Sequence, residues 1–96
     1  MIPRTATITK RLRLACSPSC KCKACDCEII YAYPATKLTV QIGEESHDAT
    51  ICDACNAQGA LWILSAMQVI ALHYVGIGMA TKFQKDLARA VLREVV

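Results

Sequence analysis

The first 25 residues contain no acidic side chain, and the stretch from Leu61 to Met79 contains no charge of either sign. Aromatic residues make up only 5% of the chain, against a hydrophobic total of 54%. The core must therefore be built from aliphatic residues and alanine, and few rings remain for stacking on nucleic-acid bases. The opening "MIPRTATITKRL" lacks the continuous apolar run of a secretory signal. With seven cysteines, an odd number, this points to a reducing, cytoplasmic setting, where close cysteines hold metal more often than they form disulfides.

What is present is unevenly distributed. Arg4, Lys10, Arg11, Arg13, Lys21 and Lys23 make residues 1–25 wholly basic. Asp26, Glu28, Glu44, Glu45, Asp48 and Asp53 then oppose a single Lys37, and the last third is mildly basic again. Such a bipolar surface suits nucleic acid at one end and a basic partner at the other, or simply two solvated faces. At 96 residues the chain is expected to be one domain, with a basic N-terminal strand over 1–15, a metal-binding region with a hairpin over 16–57 and a two-helix segment over 58–96. A core this small is commonly reinforced by metal.

In "TATITKRLRL", Ala6, Ile8, Leu12 and Leu14 share one parity and the threonines and Arg11 and Arg13 the other, with Lys10 breaking the apolar row. This reads as a half-buried strand with a basic outer face. "EIIYAYPATKLTVQIG" reads as a hairpin: a β-forming run from Ile29 to Tyr33, ended by Pro34, then the alternation of Leu38, Val40 and Ile42. "GEESHDAT" reads as a polar loop, and the chain is helical from Asp53 onward. The uncharged Leu61–Met79 stretch is apolar enough to raise a membrane span, but Ser65, Gln68 and His73 favour a central core helix. In the final segment Phe83, Leu87, Val91 and Val95 recur every four residues as a packing or interface stripe, which also offers a surface for homodimerisation. The expected fold class is α+β: a small antiparallel sheet or hairpin bearing the metal site, then a long apolar helix and a C-terminal amphipathic helix.

Five cysteines crowd "CSPSCKCKACDC" and two more occupy "CDAC". Two Cys-x2-Cys pairs supply the four ligands of a tetrahedral zinc, here Cys22, Cys25, Cys52 and Cys55. Cys20 and Cys27 offer competing pairings in the first half of the site. A second zinc would use Cys16, Cys20, Cys27 and His47; the simpler reading leaves these as free thiols and an exposed histidine. An iron–sulfur cluster fits the spacings less well. A cysteine-bearing turn, a hairpin and a pair opening a helix together resemble the treble-clef zinc finger over residues 20–75. The resemblance implies a structural metal whose last two ligands come from the helix start.

Catalytic signals are absent. Four thiolates close the coordination shell, and no histidine–glutamate pair stands at helical spacing beside them. "EESHDATICDAC" places the histidine after the acids, unlike the zinc deaminase order. "CDAC" opens a helix without the βαβ surroundings of a redox dithiol. The chain is therefore expected to be a non-catalytic zinc-binding adaptor or inhibitor of a larger protein or nucleoprotein assembly, of the kind encoded by phages and mobile elements. The alternative is a nucleic-acid-binding finger that meets phosphates through Arg4, Lys10, Arg11, Arg13, Lys21 and Lys23. A thiol redox protein or a membrane-anchored zinc finger is the weaker reading.

Overall fold

The computed structural model describes residues 3–16 and 18–94, and shows a mixed α+β fold. The elements run β1 (Thr5–Ala15), β2 (Cys20–Lys21), β3 (Glu28–Ile29), β4 (Pro34–Ile42), β5 (Glu45–Cys52), α1 (Asp53–Asn56), α2 (Ala60–Gly76), α3 (Lys82–Ala88) and β6 (Val91–Leu92). Four strands form one sheet in the order β5-β4-β1-β6, and β2 and β3 form a separate two-stranded ribbon.

The central hairpin is β4–β5, in register from Ile42–Glu45 to Ala35–Cys52. Its two-residue turn has Gly43 at φ +60°, as the first position of a hairpin turn of this length requires. A Cβ at Gly43 would sit 2.5 Å from Arg4 Cδ, so a larger residue there would also displace the Arg4 side chain. Two expectations are corrected here. Pro34 begins a strand rather than ending one, and "GEESHDAT" is a turn and most of a strand. The period-two signal in β5 is hidden because its inward positions Glu45 and His47 are polar, whereas Ala49 and Ile51 on the same parity are buried.

β1 pairs antiparallel with β4, but the register shifts between Ile8 and Lys10. This bulge at Thr9 inserts one residue and exchanges the faces of everything after it. Ala6 and Ile8 lie opposite buried Ile42 and Val40, while beyond the bulge Arg11 and Arg13 lie opposite buried Leu38 and Thr36. Leu12 turns out beside Lys37 and is 53% exposed. The single alternating row expected across "TATITKRLRL" is thus two half-rows of opposite phase.

Helix α2 packs Ile63, Leu64, Met67 and Ala71 into the core with Leu38, Val40, Ile42 and Ile51 of the sheet. It has 17 residues, and no helix among the described residues is long and apolar enough to cross a membrane. Helix α3 begins with a reciprocal capping box between Thr81 and Gln84 and is shorter than the sequence pattern predicts. Gln68 Nε2 donates to the carbonyls of Leu87 (2.9 Å) and Ala90 (3.0 Å), satisfying the helix end. The chain then pairs Val91 and Leu92 in parallel with Thr5 and Ala6. The stripe expected on one helix is broken accordingly. Phe83 and Leu87 are buried core residues, Val91 lies on a strand, and Val95 falls outside the described residues.

Candidate metal centre

The ribbon β2–β3 folds back on itself between Cys20 and Ile29, held by Cys22 N–H to Cys27 O (2.8 Å) and Asp26 N–H to Cys22 O (2.8 Å). Asp26 takes the left-handed conformation at φ +62°, and its carboxylate accepts one hydrogen bond from Tyr74 Oη on α2, shared between its two oxygens at 3.0 Å each. This turn carries Cys22 and Cys25. Opposite it, Cys52 ends β5 and Cys55 lies in the single turn of α1. The Lys23 amide donates to Thr50 O (3.0 Å) and ties the turn to β5.

These elements bring the sulfurs of Cys22, Cys25, Cys52 and Cys55 within 4.8 Å of one another. The Cys22–Cys55 separation is 3.7 Å and the Cys25–Cys52 separation 3.8 Å. A tetrahedron with metal–sulfur bonds of ~2.3 Å has edges of about 3.8 Å, so the residues present fit a four-thiolate ion. Cys22 and Cys55 are buried, Cys25 is exposed and Cys52 intermediate. Cys22 Sγ also accepts from the amides of Ala24 (3.4 Å) and Cys52 (3.3 Å), contacts that stabilise a ligating thiolate.

The electrostatics are graded across the four. Burial pushes the thiols of Cys22, Cys25 and Cys55 above their ordinary value. Burial raises Cys52 too, but donation from the Cys55 amide and from the thiols of Cys55, Cys22 and Cys25 outweighs it and brings Cys52 down to about 7. The four-cysteine group can hold a metal ion that would replace these thiol protons.

The remaining cysteines do not complete a second centre. Cys16 pairs with Cys20, sulfur to sulfur at 2.9 Å, and Cys27 sits 3.0 Å from Cys25 at the rim of the four-cysteine group. His47 faces elsewhere. Its Nε2 is buried without a hydrogen-bond partner, 3.7 Å from Asp86 and 3.9 Å from Glu45, with its ring tilted on Phe83. The set Cys16, Cys20, Cys27 and His47 is thereby corrected, because strand β5 turns His47 toward α3 rather than toward the ribbon. Glu45, His47 and Asp86 form a distinct cluster that the sequence reading missed. Lys82 Nζ lies 3.0 Å from Glu45 and 2.9 Å from Asp86, and already supplies its cation.

The basic residues are also redistributed. Arg4 pairs with Glu45 (3.1 Å) and Asp86 (3.7 Å), and Arg13 with Asp53 (3.0 Å). Arg11 donates to the backbone and side-chain oxygens of Asn56, each at 3.2 Å. Beyond the bulge, then, Arg11 and Arg13 clasp α1 and the Cys52–Cys55 half of the centre. Lys10, Lys21 and Lys23 have no acidic partner within 4.0 Å among the described residues.

No protein-family model, curated protein or solved structure matches this chain.

Proposed function

We propose that the chain is a non-catalytic, zinc-stapled adaptor or inhibitor that docks on a larger protein assembly through the outer face of α2. Zinc is the ion favoured by four thiolates at tetrahedral spacing, and the placement of Cys52 and Cys55 at a helix start supports a treble-clef-like arrangement. The metal holds structure, since four protein ligands leave no open position for substrate.

The observation that carries the docking role is on α2. Its inner face is in the core, yet Leu61, Trp62, Val69, Leu72 and Val75 are 43–65% exposed on the other side. Ile77 and Met79 extend the same apolar surface at 52% and 70%. No charge interrupts it from Leu61 to Met79, exposed Ser65 and His73 are the polar residues among it, and a large exposed apolar helix side of this kind marks an interaction site. Trp62 supplies the large aromatic anchor that interface centres favour.

A nucleic-acid role draws support from a narrower set. Tyr31 and Tyr33 are 63% and 61% exposed and join Lys10, Lys21 and Lys23 as available groups, whereas Arg4, Arg11 and Arg13 are engaged within the fold. Affinity capture with zinc-loaded protein, with and without nuclease, separates the two readings. Recovery of a defined partner after nuclease, abolished by Val69→Asp with metal content and circular dichroism unchanged, is the expected result. Recovery unaffected by Val69→Asp, or lost entirely on nuclease treatment, overturns it.

A further inference from the structure

Strand β1 has eleven residues but two neighbours of very different length. β4 covers it from Ala6 to Ala15, whereas β6 pairs with only Thr5 and Ala6. The last bonds on that side are Val91 N–H to Arg4 O (2.8 Å) and Arg93 N–H to Ala6 O (2.9 Å). From Thr7 to Ala15 no other strand among the described residues pairs with this edge. Thr9 to Arg13 are exposed without interruption, the longest such run in any strand. Alongside lies an open groove of about 410 Å³ between Ile8–Arg11, the Gly59–Ala60 entrance to α2 and Glu94.

We infer that this open edge is a second docking site, which receives an extended acidic peptide segment of a partner protein by strand addition. It is separate from the α2 face and does not depend on it. An uncovered strand presents a row of amides and carbonyls, and nine residues offer roughly four of each to an incoming strand over about 30 Å. Charge decides the occupant. Lys10 has no acidic partner within reach, the partner of Arg11 is the neutral Asn56, and only Arg13 is matched by an acid. A second copy of β1 laid antiparallel would set these cations against themselves, which is how lysines on sheet edges prevent self-pairing. Lys10, which has no acidic partner, and Arg11, whose charge is held only by the neutral Asn56, attract an acidic strand, while Arg13 stays engaged with Asp53, and exposed Leu12 gives an apolar contact to alternate side chains.

The test uses the zinc-loaded full chain and a nine-residue peptide alternating glutamate and valine, followed by amide chemical shifts. Expected are shifts concentrated in Thr7–Ala15, binding that weakens with salt, and at least about tenfold weaker binding of a lysine–valine peptide and of a glutamate–valine peptide N-methylated at alternate residues. Arg11→Glu should weaken the acidic peptide by a similar factor, while Val69→Asp leaves it unchanged. Equal binding of the N-methylated peptide reduces the effect to charge attraction and overturns strand addition. Equal binding of the lysine peptide, or shifts centred on β5, overturns the site, and tighter binding of a ten-nucleotide oligothymidylate assigns the edge to nucleic acid instead.

Discussion

Chelating the metal should unfold the ribbon and leave the sheet and α2 folded, and the structure gives the reason in magnitudes. Between Cys20 and Tyr33 the only large buried side chain is Ile29; the other buried residues are Cys22 and Ala24. Burying them is worth about 3 kcal/mol. Six backbone hydrogen bonds outside the strand ladders hold this segment, adding about 1 kcal/mol each. Ordering the segment's backbone costs ~1.5 kcal/mol per residue, or roughly 21 kcal/mol in all. The shortfall is about 12 kcal/mol, within the ~10–16 kcal/mol that a structural zinc supplies to small zinc-binding peptides. Hydrogen exchange read by mass spectrometry, with and without a strong chelator, measures this directly. Peptides spanning 20–33 and 53–57 should lose protection within seconds, while those covering Leu38–Ile42 and Ile63–Ala71 keep it. Protection of 20–33 that survives chelation would refute the accounting, as would simultaneous loss of protection along the whole chain. Purified protein free of zinc and iron would remove its premise.

Three further outcomes are expected. Leu64→Ala, at a fully buried site, should cost about 2–5 kcal/mol in urea unfolding, whereas Val69→Ala on the exposed side of the same helix should change stability by no more than ~0.5 kcal/mol; similar losses at both would mean that α2 is buried all round. Cys27→Ser, Cys16→Ser and His47→Ala should each leave one bound metal per chain by elemental analysis, while Cys55→Ser should abolish it, and a fall from two ions to one in any of the first three would restore a second centre. Hydrogen bonds from Lys82 hold the carboxyls of Glu45 and Asp86 below their ordinary values of 4.5 and 3.8. Their contribution is therefore complete above those values and is lost as pH falls through the lowered ones; Lys82→Ala should move both titrations upward by NMR, and unmoved curves would refute the assignment.

The convergence of the four cysteines was legible because metal-site spacing is local. Cys22–Cys25 and Cys52–Cys55 carry the commonest knuckle spacing, and four thiols need only one point of convergence. The core helix was legible too, from an apolar run punctuated by Gln68 and Ser65. What stayed hidden depends on what lies across from a residue. Glu45 and His47 occupy inward positions of β5 because α3 brings Lys82, Phe83 and Asp86 to meet them, and nothing near residue 45 announces that. The bulge at Thr9 is equally silent, so Arg11 and Arg13 read as an outer basic face when they reach across to α1. The last helix stops where it does because Gln68, some twenty residues earlier, satisfies its carbonyls.

The hydrogen bond from Tyr74 to Asp26 has a thermodynamic consequence. Tyr74 stands in the last turn of α2, half-buried on the side that also carries Met67 and Ala71, and Asp26 stands between Cys25 and Cys27. If a metal fills the four-cysteine group and a partner docks on α2, as proposed, both bear on the position of this one helix end, and linkage between two such sites is reciprocal. On the proposed docking role, a partner that holds the end of α2 in its present place would tighten the grip on a bound metal, and the metal would tighten that partner's binding by the same factor. On that proposal, metal retention would serve as a readout of docking that needs no label on the partner.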